Sequence, residues 1–151
     1  MYKNKTIRRM LSSSNVEEVL LLSIKPKFSE MIKNGLKTVE LRKRKPKRLT
    51  KFAIVYESSP KQVASFLIKI ESVDYSPVSK IWKQYGKQAC IDKRYFNEYY
   101  SNADCGAAII ISSVLKLQKE VDFDRLSKHE ISPPQDYRYV PKALAMNILG
   151  L

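Results

Sequence analysis

The feature that most restricts how this chain folds is a double change of period within "VLLLSIKPKFSEMIKNGLKTVELRKR", Val19 to Arg44. Val19 to Ile24 is an apolar run without helical spacing, and Lys25-Pro26 interrupts it, so it predicts a buried strand. Beyond Pro26, Phe28, Met31 and Ile32 recur at helical spacing until Gly35, which predicts a helix of about two turns closed by that glycine. From Lys37 the period becomes two. Val39 and Leu41 then face one side, while Thr38, Glu40 and Arg42 face the other.

The rest of the chain repeats this economy of short elements. "FAIVYESSP" (Phe52 to Pro60) reads as a strand ended by a Ser-Ser-Pro turn. "QVASFLIKIESV" (Gln62 to Val73) reads as a longer one with Ala64, Phe66, Ile68 and Ile70 inward and Lys69 and Glu71 on the opposite side. Between Pro77 and Asp104 the pattern is helical, with one stripe at Val78, Ile81, Trp82 and Tyr85 and another at Tyr95, Phe96 and Tyr99. "CGAAIIISSVLKLQ" (Cys105 to Gln118) is rich in β-branched residues and predicts a central strand. The double proline of "ISPPQDYRYVPKAL" imposes extended backbone before Tyr137 and Tyr139. Several strands with two helical inserts and no regular βαβ alternation predict an α+β fold, a small mixed β-barrel with helices capping a cleft.

At 151 residues the chain fits one domain. The boundaries expected are a mobile basic amino-terminal arm, 1–18, followed by the domain, 19–151. Twenty-eight Lys and Arg against fifteen Asp and Glu give a net charge of +13, a field that attracts polyanions. Nucleic acid is therefore the partner class expected, with solvated solubility lysines as the plainer alternative. No apolar run reaches the roughly 18 residues of a membrane span, so no membrane partner is expected. The two cysteines, Cys90 and Cys105, and the single histidine, His129, lack metal-ligand spacing. They predict no structural metal and no cofactor, with free thiols in a reducing, cytoplasmic setting.

Three groups of residues carry candidate chemistry. Glu40 and Arg42 share a strand face, close enough to pair, and read either as a brace or as a fixed carboxylate able to accept from an exocyclic amine of a base. Seven of the ten residues from Arg42 to Lys51 are basic, namely Arg42, Lys43, Arg44, Lys45, Lys47, Arg48 and Lys51, an electrostatic footprint for phosphate. Tyr56 and Tyr137 are the aromatic candidates for base stacking, and Ser58 and Ser59 are candidate phosphate donors or plain turn formers. A single histidine excludes a Ser-His-Asp triad, and the scarcity of glycine, four in all, argues against a phosphate-cradling loop.

With these residues in view, the chain resembles an ASCH domain, a branch of the PUA-like superfamily of small β-barrels. The resemblance rests on the strand, Lys25-Pro26, helix, then Gly35, Lys37, Thr38, Glu40 and Arg42 in Gly-x-Lys-Thr-x-Glu-x-Arg order. It extends over Leu20 to Val140, through "IVYESSP", Trp82 and "PPQDYRYV". It implies a cleft floored by the motif residues and a role in RNA binding or metabolism. The leading expectation is a module that holds RNA, as a modified or unpaired nucleotide, in a cleft floored by Lys37, Glu40 and Arg42, with phosphates over the basic loop and Lys25 and Thr38 as further nucleic-acid contacts.

Other members of the family imply other activities. Some resemble amidohydrolases that deacylate modified cytidine with a lysine, a threonine and a glutamate, and others are linked to RNA cleavage. Lys37 matches the lysine, with Glu40 or Glu71 as the acid, whereas the threonine expected three positions after the lysine is replaced by Glu40. A third reading, DNA-binding regulation, comes from the predicted-transcriptional-regulator label of similar prokaryotic proteins. No helix-turn-helix pattern supports it.

Overall fold

The computed structural model describes residues 4–48 and 50–151. The helices are α1 (Asn4–Ser13), α2 (Pro26–Lys33), α3 (Val78–Tyr85), α4 (Lys93–Tyr99), α5 (Phe123–Lys128) and α6 (Lys142–Ile148). The strands are β1 (Glu18–Ile24), β2 (Val39–Arg42), β3 (Phe52–Glu57), β4 (Val63–Pro77), β5 (Cys105–Asp122) and β6 (Tyr137–Pro141). They form one mixed six-stranded sheet in the order β2-β5-β4-β3-β1-β6. Among the described residues only β1 and β3 run parallel. The α+β class follows directly.

The apolar run that begins β1 is explained by burial on both sides. Val19 and Leu21 enter one core with Phe52, Ile54 and Tyr56 of β3, while Leu20, Leu22 and Ile24 enter a second with Ala53 and Val55. A strand covered on both faces has no place for polar alternation. The inward set expected on β4 divides for a different reason. Ala64 joins the first core and Phe66 the second, because β4 carries one extra residue between them in its pairing with β3.

The sheet curls around the second core, which Ile109 of β5 shares with Leu22 of β1. Were it flat, β2 would lie four strand spacings from β1, about 19 Å away. Instead the Arg42 guanidinium at the end of β2 donates to the Ser23 carbonyl of β1 at 2.8 Å. The expected barrel is therefore not closed: among the described residues no backbone ladder joins β2 to β6, and the gap between the ends of the sheet is bridged by side chains.

Where the sequence suggests a mobile arm, residues 4–13 form a helix whose Ile7 and Leu11 are fully buried in the first core. Residues 1–3 of that expected arm lie outside the described residues. A ten-residue helix is marginal in isolation, and burying each of those side chains contributes about 1.5–3 kcal/mol. The basic residues Lys5, Arg8 and Arg9 stay on its exposed side.

Two glycines are required by geometry. Gly35 follows α2 with φ of +78°, the left-handed conformation expected for a helix stop. Gly106 on β5 lies under the Tyr100 ring, where a Cβ would stand 2.7 Å from the ring carbon Cε1. That close approach lets Tyr100 reach across a third apolar cluster, built from Val39, Leu41, Ile81 and Phe96, and donate to the Arg42 carbonyl at 2.9 Å. α3 and α4 thereby fix the last residue of β2 from behind.

Candidate functional site

A cleft of about 690 Å³ opens beside the end of β2. Its size falls within the roughly 300–1,000 Å³ of small-molecule sites. Lys37, Glu40 and Arg42 contribute to its floor. The expected alternation is what places them there: Val39 and Leu41 pack backward into the third cluster, so the intervening Glu40 and the following Arg42 turn toward the cleft.

The floor is a chain of charges. Glu40 Oε2 accepts from Arg42 Nη2 at 2.8 Å and from Nε at 3.2 Å. Arg42 Nη1 donates to the Asp136 carboxylate at 2.8 Å and to its carbonyl at 2.9 Å. On the other side, Lys37 Nζ lies 3.5 Å from Glu40 Oε1 and donates to the Ala89 carbonyl. Lys37 is only 2% exposed, and Glu40 and Arg42 are 7% exposed each.

These surroundings act oppositely on the two cations. Burial pushes the Lys37 ammonium below its ordinary value against the opposing attraction of Glu40. Burial would also lower Arg42, but Glu40 and Asp136 outweigh it and raise the guanidinium, which is a permanent charge here. Both Oε2 bonds of Glu40 go to Arg42, while Oε1 faces one ammonium. A carboxylate oxygen accepts two donors, so among the described residues Oε1 has capacity for a second donor beyond Lys37.

Lys25, Lys43 and Arg44 line the rim, and Tyr56, Ser58 and Ser59 line its far end. The walls add aromatic rings. Lys37 stands over the Phe28 ring at 5.2 Å, Lys25 over Tyr95 at 5.8 Å and Lys43 over Tyr99 at 5.0 Å. Burial pushes the Tyr99 hydroxyl up to about 12, so it stays protonated at neutral pH.

Other expected residues lie elsewhere. Thr38 is exposed and outside the cleft lining. Glu71 is exposed and borders a separate hollow with Thr50, Lys51 and Ser72, so it cannot assist Lys37 on the cleft floor.

The basic loop is also redistributed. Lys45, Lys47 and Arg48 are exposed but do not line the cleft. Tyr137, expected as a stacking platform, instead donates to the Lys45 carbonyl at 3.2 Å and lies under Arg44 at 5.4 Å. Tyr139 closes the same clasp: its hydroxyl donates to the Arg48 carbonyl at 2.6 Å and accepts from the Arg48 amide at 2.7 Å. Arg48 also pairs with Glu18 at 2.9 Å.

Sequence reasoning passed over Asp136, which is held 94 positions away from Arg42 in the chain. The signal lay in "PPQD", where two prolines stiffen the approach of one acid, but nothing local names its partner. Phe28, Tyr95, Tyr99 and Phe123 also line the cleft, although the helical spacing of the first three marks them only as packing residues. Among the described residues no cluster of His, Cys, Asp and Glu is arranged to hold a metal, and no helix is long and apolar enough to cross a membrane.

Comparison with known proteins places this geometry in a family. The large ribosomal subunit protein uL22 of Ureaplasma parvum serovar 3 is 26% identical over 140 residues, covering 90% of this chain and 44% of the relative. The chain thus spans less than half the length of that relative. The ASCH domain-containing ribonuclease of Zymomonas mobilis is 22% identical over 134 residues, covering 87% of this chain and 90% of the relative. The crystal structure of ASCH from Zymomonas mobilis superimposes with a TM-score of 0.80 at 21% identity, over 87% of this chain and 94% of that one. Residues 22–121, from the middle of β1 to the end of β5, match the ASCH domain, and the chain belongs to that family.

Proposed function

We propose that the cleft binds single-stranded RNA, taking one unpaired nucleotide onto the floor formed by Lys37, Glu40 and Arg42. The observation that carries this reading is the combination in one cleft of a fixed, partly unsatisfied carboxylate oxygen, aromatic walls and a cationic rim. A base offers amino donors at its edge and a flat face, which suit Glu40 Oε1 and the rings. Lys25 and Lys43, both exposed, suit the phosphates. The ribonuclease name of the Zymomonas relative and the ribosomal name of the Ureaplasma relatives support an RNA setting.

The test is anisotropy of a labelled, unstructured RNA oligonucleotide across a salt series, with duplex DNA as competitor. The Lys25→Ala/Lys43→Ala double variant should weaken binding and reduce the slope of log affinity against log salt by about 1.4, two contacts at ~0.7 each. An unchanged slope, or equal competition by duplex DNA, counts against the reading. The latter result would favour the DNA-binding alternative.

A second reading, RNA cleavage, is favoured by one observation: Lys37 is buried beside Glu40 and its ammonium is destabilised. An amine nearer to neutrality can exchange a proton with a reacting hydroxyl, the general acid–base role that phosphodiester cleavage needs. Incubating RNA with the protein and with Lys37→Met distinguishes the two. Fragments formed by the first and not the second establish turnover, while intact RNA with retained binding leaves the module. Deacylation of modified cytidine has less support, because Thr38 is outside the cleft lining, and release of free cytidine from an acylated nucleoside checks it in the same experiment.

A further inference from the structure

Among the described residues three large apolar side chains are exposed: Leu36 at 68%, Tyr75 at 48% and Phe123 at 42%. Of these, Phe123 alone borders the cleft. It is the first residue of α5, and the helix behind it is firmly placed. Asp122 caps it by accepting from the Arg125 amide at 2.9 Å, and Leu126 is 1% exposed in the first core. Its exposure is therefore a fixed position in the fold.

The rings of Phe28, Tyr95 and Tyr99 already have partners within the protein. Phe28 meets Tyr95 edge-on at 5.5 Å and carries Lys37. Tyr95 and Tyr99 lie beneath Lys25 and Lys43, and Tyr99 also packs on Tyr100 at 4.8 Å. Among the described residues Phe123 has neither an aromatic partner nor a cation over its ring, and it joins none of the three apolar clusters. A partly exposed aromatic ring at the edge of a cationic cleft matches a nucleobase, which supplies a flat ring while its phosphate pairs with the rim.

We infer that Phe123 is a stacking platform for the nucleotide adjoining the one seated on the floor, so that the cleft selects a short single strand over an isolated nucleotide. The inference rests on the proposed RNA reading and adds a subsite to it. About 690 Å³ is more than twice the ~300 Å³ lower bound of small-molecule sites, which leaves space beyond one base.

The experiment compares a ribonucleoside 5′-monophosphate with a ribotrinucleotide, by calorimetry, on the unsubstituted protein, Phe123→Ala and Phe123→Trp. Phe123→Ala should weaken the trinucleotide about tenfold, within the range of one lost stack, and leave the monophosphate unchanged. Phe123→Trp should restore or exceed the original trinucleotide affinity. Equal losses for both probes, or no loss for the trinucleotide, overturn the stacking role while the RNA reading stands. Failure of both probes to bind the unsubstituted protein overturns the RNA reading, and the subsite with it.

Discussion

Arg42 and Asp136 form an ion pair at 2.8 Å that joins the end of β2 to the segment entering β6. The pair stands where a closed barrel would have backbone hydrogen bonds. A planar guanidinium can serve several acceptors at once, and here it donates to Glu40, Asp136 and the Ser23 carbonyl together. Removing either partner leaves unmatched charge in a largely dry place.

Asp136→Ala should accordingly destabilise the protein by about 1–3 kcal/mol, the cost of leaving charge-assisted donors unpaired. Asp136 is partly solvated, at 29% side-chain exposure, which keeps the loss below that of a fully buried pair. Asp136→Asn should recover part of it, because an amide oxygen still accepts from Nη1. Urea midpoints for the three proteins provide the check, and a shift of similar size in both variants would deny the pair its bridging role.

Gly106→Ala should destabilise by about 1–3 kcal/mol through overpacking against the Tyr100 ring. The new methyl would fall 2.7–2.8 Å from Cε1, Cζ and the hydroxyl oxygen. Combining it with Tyr100→Leu should cost less than the sum of the separate changes. Additive losses in thermal melts would show that the ring is free to move aside.

Glu57 sets an acid limit. Its carboxylate, 1% exposed, accepts from Ser29 at 2.7 Å and Ser65 at 3.1 Å, with Lys33 and Lys61 nearby. Burial favours the neutral acid, but these partners outweigh it and hold the group below its ordinary 4.5. Because the folded value is depressed, its contribution is present above pH 4.5 and fades as pH falls from there through the folded value. Stability measured from pH 6 downward, at about half-unit steps, should decline less steeply in Glu57→Gln than in the parent. Parallel declines would assign the acid sensitivity to other carboxylates.

Tyr139→Phe should loosen the basic loop without disturbing the sheet. The hydroxyl makes two hydrogen bonds to the Arg48 backbone, and its loss should cost about 0.5–1.5 kcal/mol per bond at most. Amide exchange at Arg48 should accelerate while the amides of Leu20 and Leu22, deep in β1, keep their protection. Unaltered exchange at Arg48 would mean that the Glu18 pair, not the tyrosine, anchors the loop.

Much of the first half of the fold was legible because local rules agree there. The unbroken apolar run of β1, the proline at the first position of α2 and the left-handed Gly35 each occur where pattern and backbone chemistry require them. Less legible was the fate of polar groups. Tyr137 and Arg48 look like nucleic-acid contacts in a basic, aromatic sequence, yet the fold engages them as partners within the loop clasp. Glu71 is exposed, on the outward side that alternation gives it, but it borders a separate hollow, and no local pattern says which hollow an outward side chain will border.

The sequence by itself determined the order of elements from β1 to β5, the α+β class and the shared face of Glu40 and Arg42, since side-chain period depends only on the backbone a few residues either way. Tertiary structure alone decided that Asp136 would complete that pair, that Tyr100 would lock it from behind and that Phe123 would stand partly exposed in the cleft lining. Those facts depend on how far a six-stranded sheet curls. Curl brings together groups separated by most of the chain, and it is set by the packing of whole faces rather than by any local run of residues.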